Sequence, residues 1–257
     1  IEPLWPVSWL GTGDPSDLLI YAILYANLIA TLLVLIAPEF RSLRIFLFVA
    51  FLEYIAFRNS FGKINHWGHL MLLISFVLIF LPKGWSSLVG SRTVQIQTLS
   101  TIAACQAMIL VTYTMSGLGK IIVGGIQMAQ GKANSFSPDA LARHISERLL
   151  ETSETSYLGD WIINYPWMGW PMMFFAIYLQ TVSIFILFRP ALHRIWGVAH
   201  LLFHVGVFLT MTISFNESSF LVALFLIASP FTPTPLSFGS ILRELPLFGN
   251  PLSRLRA

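Results

Sequence analysis

Three sets of side chains in this sequence are of the right types and spacing to do chemistry. Asn65, His66 and His69 crowd the start of an apolar stretch together with Lys63. Lys120 closes the run Tyr113-Thr-Met-Ser-Gly-Leu-Gly-Lys, and His200 and His204 stand four apart inside another apolar stretch. A helix N-terminus favours a bound anion and a neutral imidazole, and side chains three apart share a helix face, as His66 and His69 would. Desolvation in a glycine-rich apolar setting frees a lysine amine to act as a base. An imidazole and a free amine facing one pocket suit removal of a proton from a weak acid. The other reading of Lys120 is a lysine snorkelling to an interface, and of His66 an interfacial hydrogen-bonded histidine. The pair His200 and His204 has the spacing to ligate haem, a chlorin or a metal ion, or to hydrogen-bond between helices. No metal site is expected: Cys105 stands alone, and no CxxC, HExxH, phosphate-loop or Ser-His-Asp pattern occurs.

Such groups need elements to hold them, and the composition says of what kind. The 257 residues are 56% hydrophobic and 11% charged, with a mean hydropathy of +0.73. That balance excludes an ordinary soluble domain and predicts an all-α integral membrane protein, a bundle of six or seven transmembrane helices with the lipid bilayer as its first partner. The net charge of +3 rests on few charges and is the loop excess common in membrane proteins, so no nucleic-acid partner is expected.

Residues 1–17 hold acids, prolines and tryptophans but no Lys or Arg and read as an outer, interface-hugging segment. Residues 18–230 carry the apolar runs 18–37, 43–57, 66–82, 99–118, 168–188, 195–213 and a short seventh at 220–228. Glu53, inside the second run, is expected to be paired or protonated, with Arg58 or a helix neighbour the natural partner. Small residues in the fourth run (Ser100, Ala103, Ala104, Ala107) suit close helix packing. Lys120 is expected at the end of that helix. The long connection 121–166 contains a helix start at Ser137-Pro-Asp. Beyond it Leu141, Ile145 and Leu149 fall four apart on one face. This amphipathic helix reads as a membrane-surface helix, a lid over a pocket, a docking face for a partner, or a plain spacer. Residues 231–257 show no periodicity and read as a cytoplasmic tail.

Counting Lys and Arg puts the N-terminus outside and the C-terminus inside. Arg41, Arg44, Lys83, Arg92, Arg189 and Arg194 then fall on inner loops, and both polar patches fall on the outer side.

Gly62-Lys-Ile-Asn65-His66 before an apolar helix, Ser116-Gly-Leu-Gly-Lys120 with Gly124 and Gly125 after it, and Arg194 followed by Phe203-His204 resemble the membrane domain of vitamin K-dependent gamma-carboxylase. That domain is also called the horizontally transferred transmembrane (HTTM) domain, and the likeness covers residues 15–230. The resemblance implies that Lys120 is the base that deprotonates a reduced quinone, vitamin K-like. It implies that Asn65 and His66 serve the carboxylation step that follows quinol oxygenation. The expected pocket lies between the third, fourth and sixth helices of a bacterial inner-membrane protein. The competing expectation is a non-catalytic subunit of a photosynthetic or respiratory membrane complex. Its partners would be other membrane subunits, and His69, His200 or His204 would hold a chlorin or haem.

Overall fold

A computed structural model of the chain describes residues 4–10, 15–61, 68–87, 90–233 and 237–247. Among these the regular structure is helical, with no β-strand. The chain falls into two compact units, Ile1–Met108 and Ile109–Ala257.

In the first unit, α1 (Asp17–Ile36) starts where the Ser16 hydroxyl accepts the Leu19 N–H and Asp17 faces the positive helix end. Pro38 prevents its continuation. Of its side chains only Ile23 and Ala30 are buried, while Leu18, Leu28, Leu32 and Ile36 are exposed. A helix apolar all round and bare on most sides is suited to lipid. It packs on α2 (Arg41–Asn59), where Ile23 joins Val7, Ala56 and Phe57 in one cluster. The N-terminal 3-10 segment Trp5–Leu10 closes over this cluster. There the Leu4 N–H donates to Ser60 Oγ at 3.0 Å, and the Trp9 indole donates to Glu53 Oε2 at 3.2 Å. Among the described residues the partner of Glu53 is therefore Trp9 rather than Arg58, because the N-terminal segment folds back over that face. Gly68 leads into α3 (His69–Leu78) with φ +80°. That left-handed conformation requires glycine, and a Cβ there would also stand 2.7 Å from Ile55 Cδ1, the end of a side chain on α2.

The division between the units falls inside α4 (Arg92–Ala129), a helix of 38 residues. It extends past both ends of the expected run 99–118. Lys120 consequently lies within the helix rather than at its end. The glycines after Ser116 cost about 1 kcal/mol each relative to alanine, which weakens a helix without stopping it. The stop is Gly131, at φ +66°, where the Gly131 N–H reaches Met128 O and the Lys132 N–H reaches Gln127 O. This paired closure is the Schellman arrangement.

In the second unit α5 (Ala140–Thr152) and α6 (Gly159–Asn164) form the connection, followed by α7 (Gly169–Thr181), α8 (His193–Met211), α9 (Asn216–Val222) and α10 (Phe238–Glu244). α5 begins at Ala140, two residues later than a start capped by Ser137 with Pro138 in the first turn. Asp139 stands at the N-cap without a side-chain bond, and the Ser137 hydroxyl instead accepts the Asn134 N–H. Its apolar face is covered by the chain itself. Ile145 is fully buried with Ala142 and Ile162, and Leu141, Leu149, Ile163 and Met211 pack around them. A docking face made of Leu141, Ile145 and Leu149 is thus corrected, because α6, α7 and α8 already occupy it.

The fifth run is not one α-helix. After Thr181 the winding tightens to 3-10 over Ser183–Phe188, and the Ile184 N–H finds Thr114 Oγ1 at 2.9 Å. α9 widens instead, into a π turn over Ala223–Ile227 that packs on α8. The tail contains a helix that sequence periodicity did not show. It is tied down where Arg189 Nη1 donates to Glu244 O and the Tyr178 hydroxyl donates to Pro246 O.

Among the described residues three helices are long and apolar enough to cross a membrane: Asp17–Ile36, Arg92–Ala129 and Pro190–Met211. The apolar helices His69–Leu78 and Asn216–Ile227 are shorter.

Candidate functional site

One face of α4 and one face of α8 carry Lys120, Tyr113 and three histidines of the second unit. Tyr113, Gly117 and Lys120 follow the i, i+4, i+7 pattern on α4; His193, Gly197, His200 and His204 do the same on α8. Gly117 lets the chain at Thr181 approach α4, which places the end of α7 beside Lys120. There Lys120 Nζ donates to Gln180 Oε1 at 2.8 Å and to Ser116 Oγ at 3.0 Å. Both acceptors are neutral, and among the described residues Lys120 forms no ion pair. Gln180 is buried and was not singled out by sequence; its only signal was an amide in an otherwise apolar run.

The histidines form two linked sets of contacts. His204 Nε2 meets the Tyr113 hydroxyl at 2.9 Å and Nδ1 meets Ser219 Oγ at 2.8 Å, so a continuous Tyr–His–Ser path joins α4, α8 and α9. His200 stacks on the Tyr113 ring, centroids 3.8 Å apart and planes 25° apart. Its Nε2 lies 3.0 Å from Ser183 Oγ, which also accepts the Trp196 indole N–H at 2.9 Å and reaches Leu179 O at 2.7 Å. A hydroxyl has one proton and two lone pairs. All three contacts are satisfied when Ser183 donates to Leu179 O and accepts from Trp196 and from an Nε2–H of His200. The Nδ1 lone pair of His200 is then left, and this atom is buried with no partner among the described residues. His193, buried at the start of α8, bonds Ser229 Oγ and Ile186 O.

With both ring nitrogens engaged, His204 offers no ligand atom in this arrangement; His200 keeps one. No group of three or more His, Cys, Asp or Glu side chains among the described residues could hold a metal ion. In the first unit His69 Nε2 lies 3.2 Å from Asn59 Nδ2, and Asn59 is a buried amide that the sequence did not reveal. Asn65 and His66, with Lys63, lie outside the described residues.

Chemically the second unit offers an amine held by neutral acceptors and a Tyr–His–Ser path able to pass a proton. No family model matches the chain, and neither a curated protein nor a solved structure does.

Proposed function

We propose that this chain is a polytopic membrane protein of the gamma-carboxylase-like, HTTM type, in which Lys120 acts as a base toward a reduced quinone. The observation that carries this reading is the setting of Lys120. Its amine is oriented by Gln180 and Ser116 at 2.8 and 3.0 Å, with no carboxylate among the described residues to hold it charged. An ammonium paired with Asp or Glu is a structural ion; an amine held by an amide and a hydroxyl is available to accept a proton. A quinol is an acid weak enough to need such a base and apolar enough to be delivered from a bilayer. In this reading α1, α4 and α8 span the membrane, and the shorter helices complete a bundle of six or seven. The N-terminus lies outside and the C-terminus in the cytoplasm of a bacterial cell, which the distribution of Lys and Arg supports.

The test is oxygen uptake by the purified protein on addition of a reduced naphthoquinone. Uptake with formation of the quinone epoxide, abolished in Lys120→Ala, is the expected result. Full activity in the variant, or none in the parent with naphthoquinols and benzoquinols alike, overturns it.

The second reading, a cofactor-holding subunit of a larger membrane complex, is favoured by the Nδ1 of His200, buried and without a partner among the described residues. Visible absorption bands of haem or chlorin in protein purified gently from its native membrane, lost in His200→Ala, would select it over the first.

A further inference from the structure

Where α1 gives way to α2 and α3 runs out, the first unit encloses a cleft of about 400 Å³. Its walls bring together three cations, Arg41, Arg44 and Lys83, against one carboxylate, Glu39. That carboxylate is already engaged: Oε2 accepts the Gly84 N–H at 2.6 Å, and Oε1 accepts the hydroxyl and N–H of Ser86. Arg44 is 6% exposed. Its Nη2 donates to Leu81 O at 2.7 Å, while Nε and Nη1 are enclosed with no partner among the described residues. A buried guanidinium with two unmet donors is costly, and the one carboxylate near it, Glu39, spends its hydrogen bonds on Gly84 and Ser86. The floor of the cleft therefore has a standing positive charge that a bound anion would offset.

The rim shows what kind of anion fits. Arg41 and Lys83 are exposed, and the Arg41 guanidinium lies over the Phe80 ring, 5.5 Å from its centroid. Phe80 and Phe40 are themselves more than half exposed, as is Ile36 at the end of α1. A free inorganic anion has no use for this apolar border. An amphiphile has: its phosphate meets the cations, and its chains run along the bare side of α1. Basic pockets beside membrane helices recognise lipid headgroups by this combination. The same end of the helices carries Lys83 and Arg92, which the positive-inside rule assigns to the cytoplasmic leaflet, where anionic lipids concentrate. We propose that the Arg41–Arg44–Lys83 cleft binds the phosphate of an anionic phospholipid.

The proposal is independent of any reaction at Lys120. Delipidated full-length protein would be titrated with phosphatidylglycerol, with phosphatidylcholine and with inorganic phosphate, and bound lipid counted by native mass spectrometry. Phosphatidylglycerol is expected to bind about ten-fold or more tighter than phosphatidylcholine, and inorganic phosphate not measurably. Because the buried Arg44 could be needed for folding, the variants are the exposed Arg41→Gln and Lys83→Gln. Each is expected to weaken phosphatidylglycerol about five-fold without affecting phosphatidylcholine. Equal binding of the two lipids overturns the proposal, as does a preference untouched by both variants. Inorganic phosphate binding as tightly as the lipid would make this a free-anion site and overturn the lipid assignment.

Discussion

Gly117 meets Thr181 backbone to backbone: a Cβ at residue 117 would stand 2.5 Å from the Thr181 nitrogen and 2.8 Å from its Cα. Neither atom can swing aside as a side chain would. Gly117→Ala should therefore destabilise the protein, overpacking of about 1–3 kcal/mol outweighing the roughly 1 kcal/mol gained in helix propensity. Gly125, on the same helix, has nothing within 4 Å of its added Cβ. Gly125→Ala should stabilise by about 1 kcal/mol. Unfolding followed by circular dichroism in mixed micelles, with both variants side by side, reads the opposite signs directly.

Tyr113 and His204 are buried and Ser219 is half-buried, so removing either hydroxyl leaves one ring nitrogen of His204 without its partner. Tyr113→Phe and Ser219→Ala should each cost about 1–3 kcal/mol. The double variant should lose less than the two singles together, because a histidine free of both partners can change tautomer or rotamer. Strict additivity in a double-mutant cycle would show that the two bonds do not communicate.

Glu39 makes the fold sensitive to acid. The Ser86 hydroxyl first, and then the Gly84 N–H, hold its carboxyl below the ordinary carboxylate value. A depressed folded pKa means that the contribution is complete above the unfolded pKa and disappears as the pH falls through the folded one. Glu39→Gln should be less stable than the parent at neutral pH. The gap should close below about pH 4, the range of an unperturbed glutamate, in a pH series of melting temperatures. A gap independent of pH would assign the loss to packing.

Topology can be read with thiol labels, since the native Cys105 is wholly buried and stays silent. Ala133 and Ser91 are exposed. Ala133→Cys should react with an impermeant maleimide from outside intact cells, and Ser91→Cys only after the membrane is opened. Loss of the Ser91 cap on α4 costs about 1 kcal/mol and leaves the site accessible. Reaction of both from one side would overturn the proposed orientation.

The long apolar helices were legible because their ends carry chemical punctuation. Ser16 and Asp17 open α1 and Pro38 follows its close, and the observed bounds of α1 and α8 lie within about two residues of the apolar runs. The reach of α4 was not legible, since glycines near Lys120 look like a stop until Gly131 is seen to be one. Gln180, Ser183, Trp196 and Asn59 escaped notice for another reason. A single amide, hydroxyl or indole in an apolar run has no period, and only the fold decides which buried donor it must satisfy. For His200 and His204 the spacing left ligation and hydrogen bonding open; the structure supplies the partners Ser183, Tyr113 and Ser219.

The π turn at Ala223–Ile227 holds one residue more than an α-helical turn of the same rise. That surplus brings Leu226 and Ile227 against Gly197, where a Cβ would stand 2.7 Å from Ile227 Cγ1. The segment therefore works as a phase shifter. Excising one residue would return it to ordinary winding and rotate everything beyond by about 100°, carrying Ser229 away from His193 while preserving every apolar residue the bilayer could sense. Two sequences of equal hydropathy here, one residue apart in length, would encode different interiors.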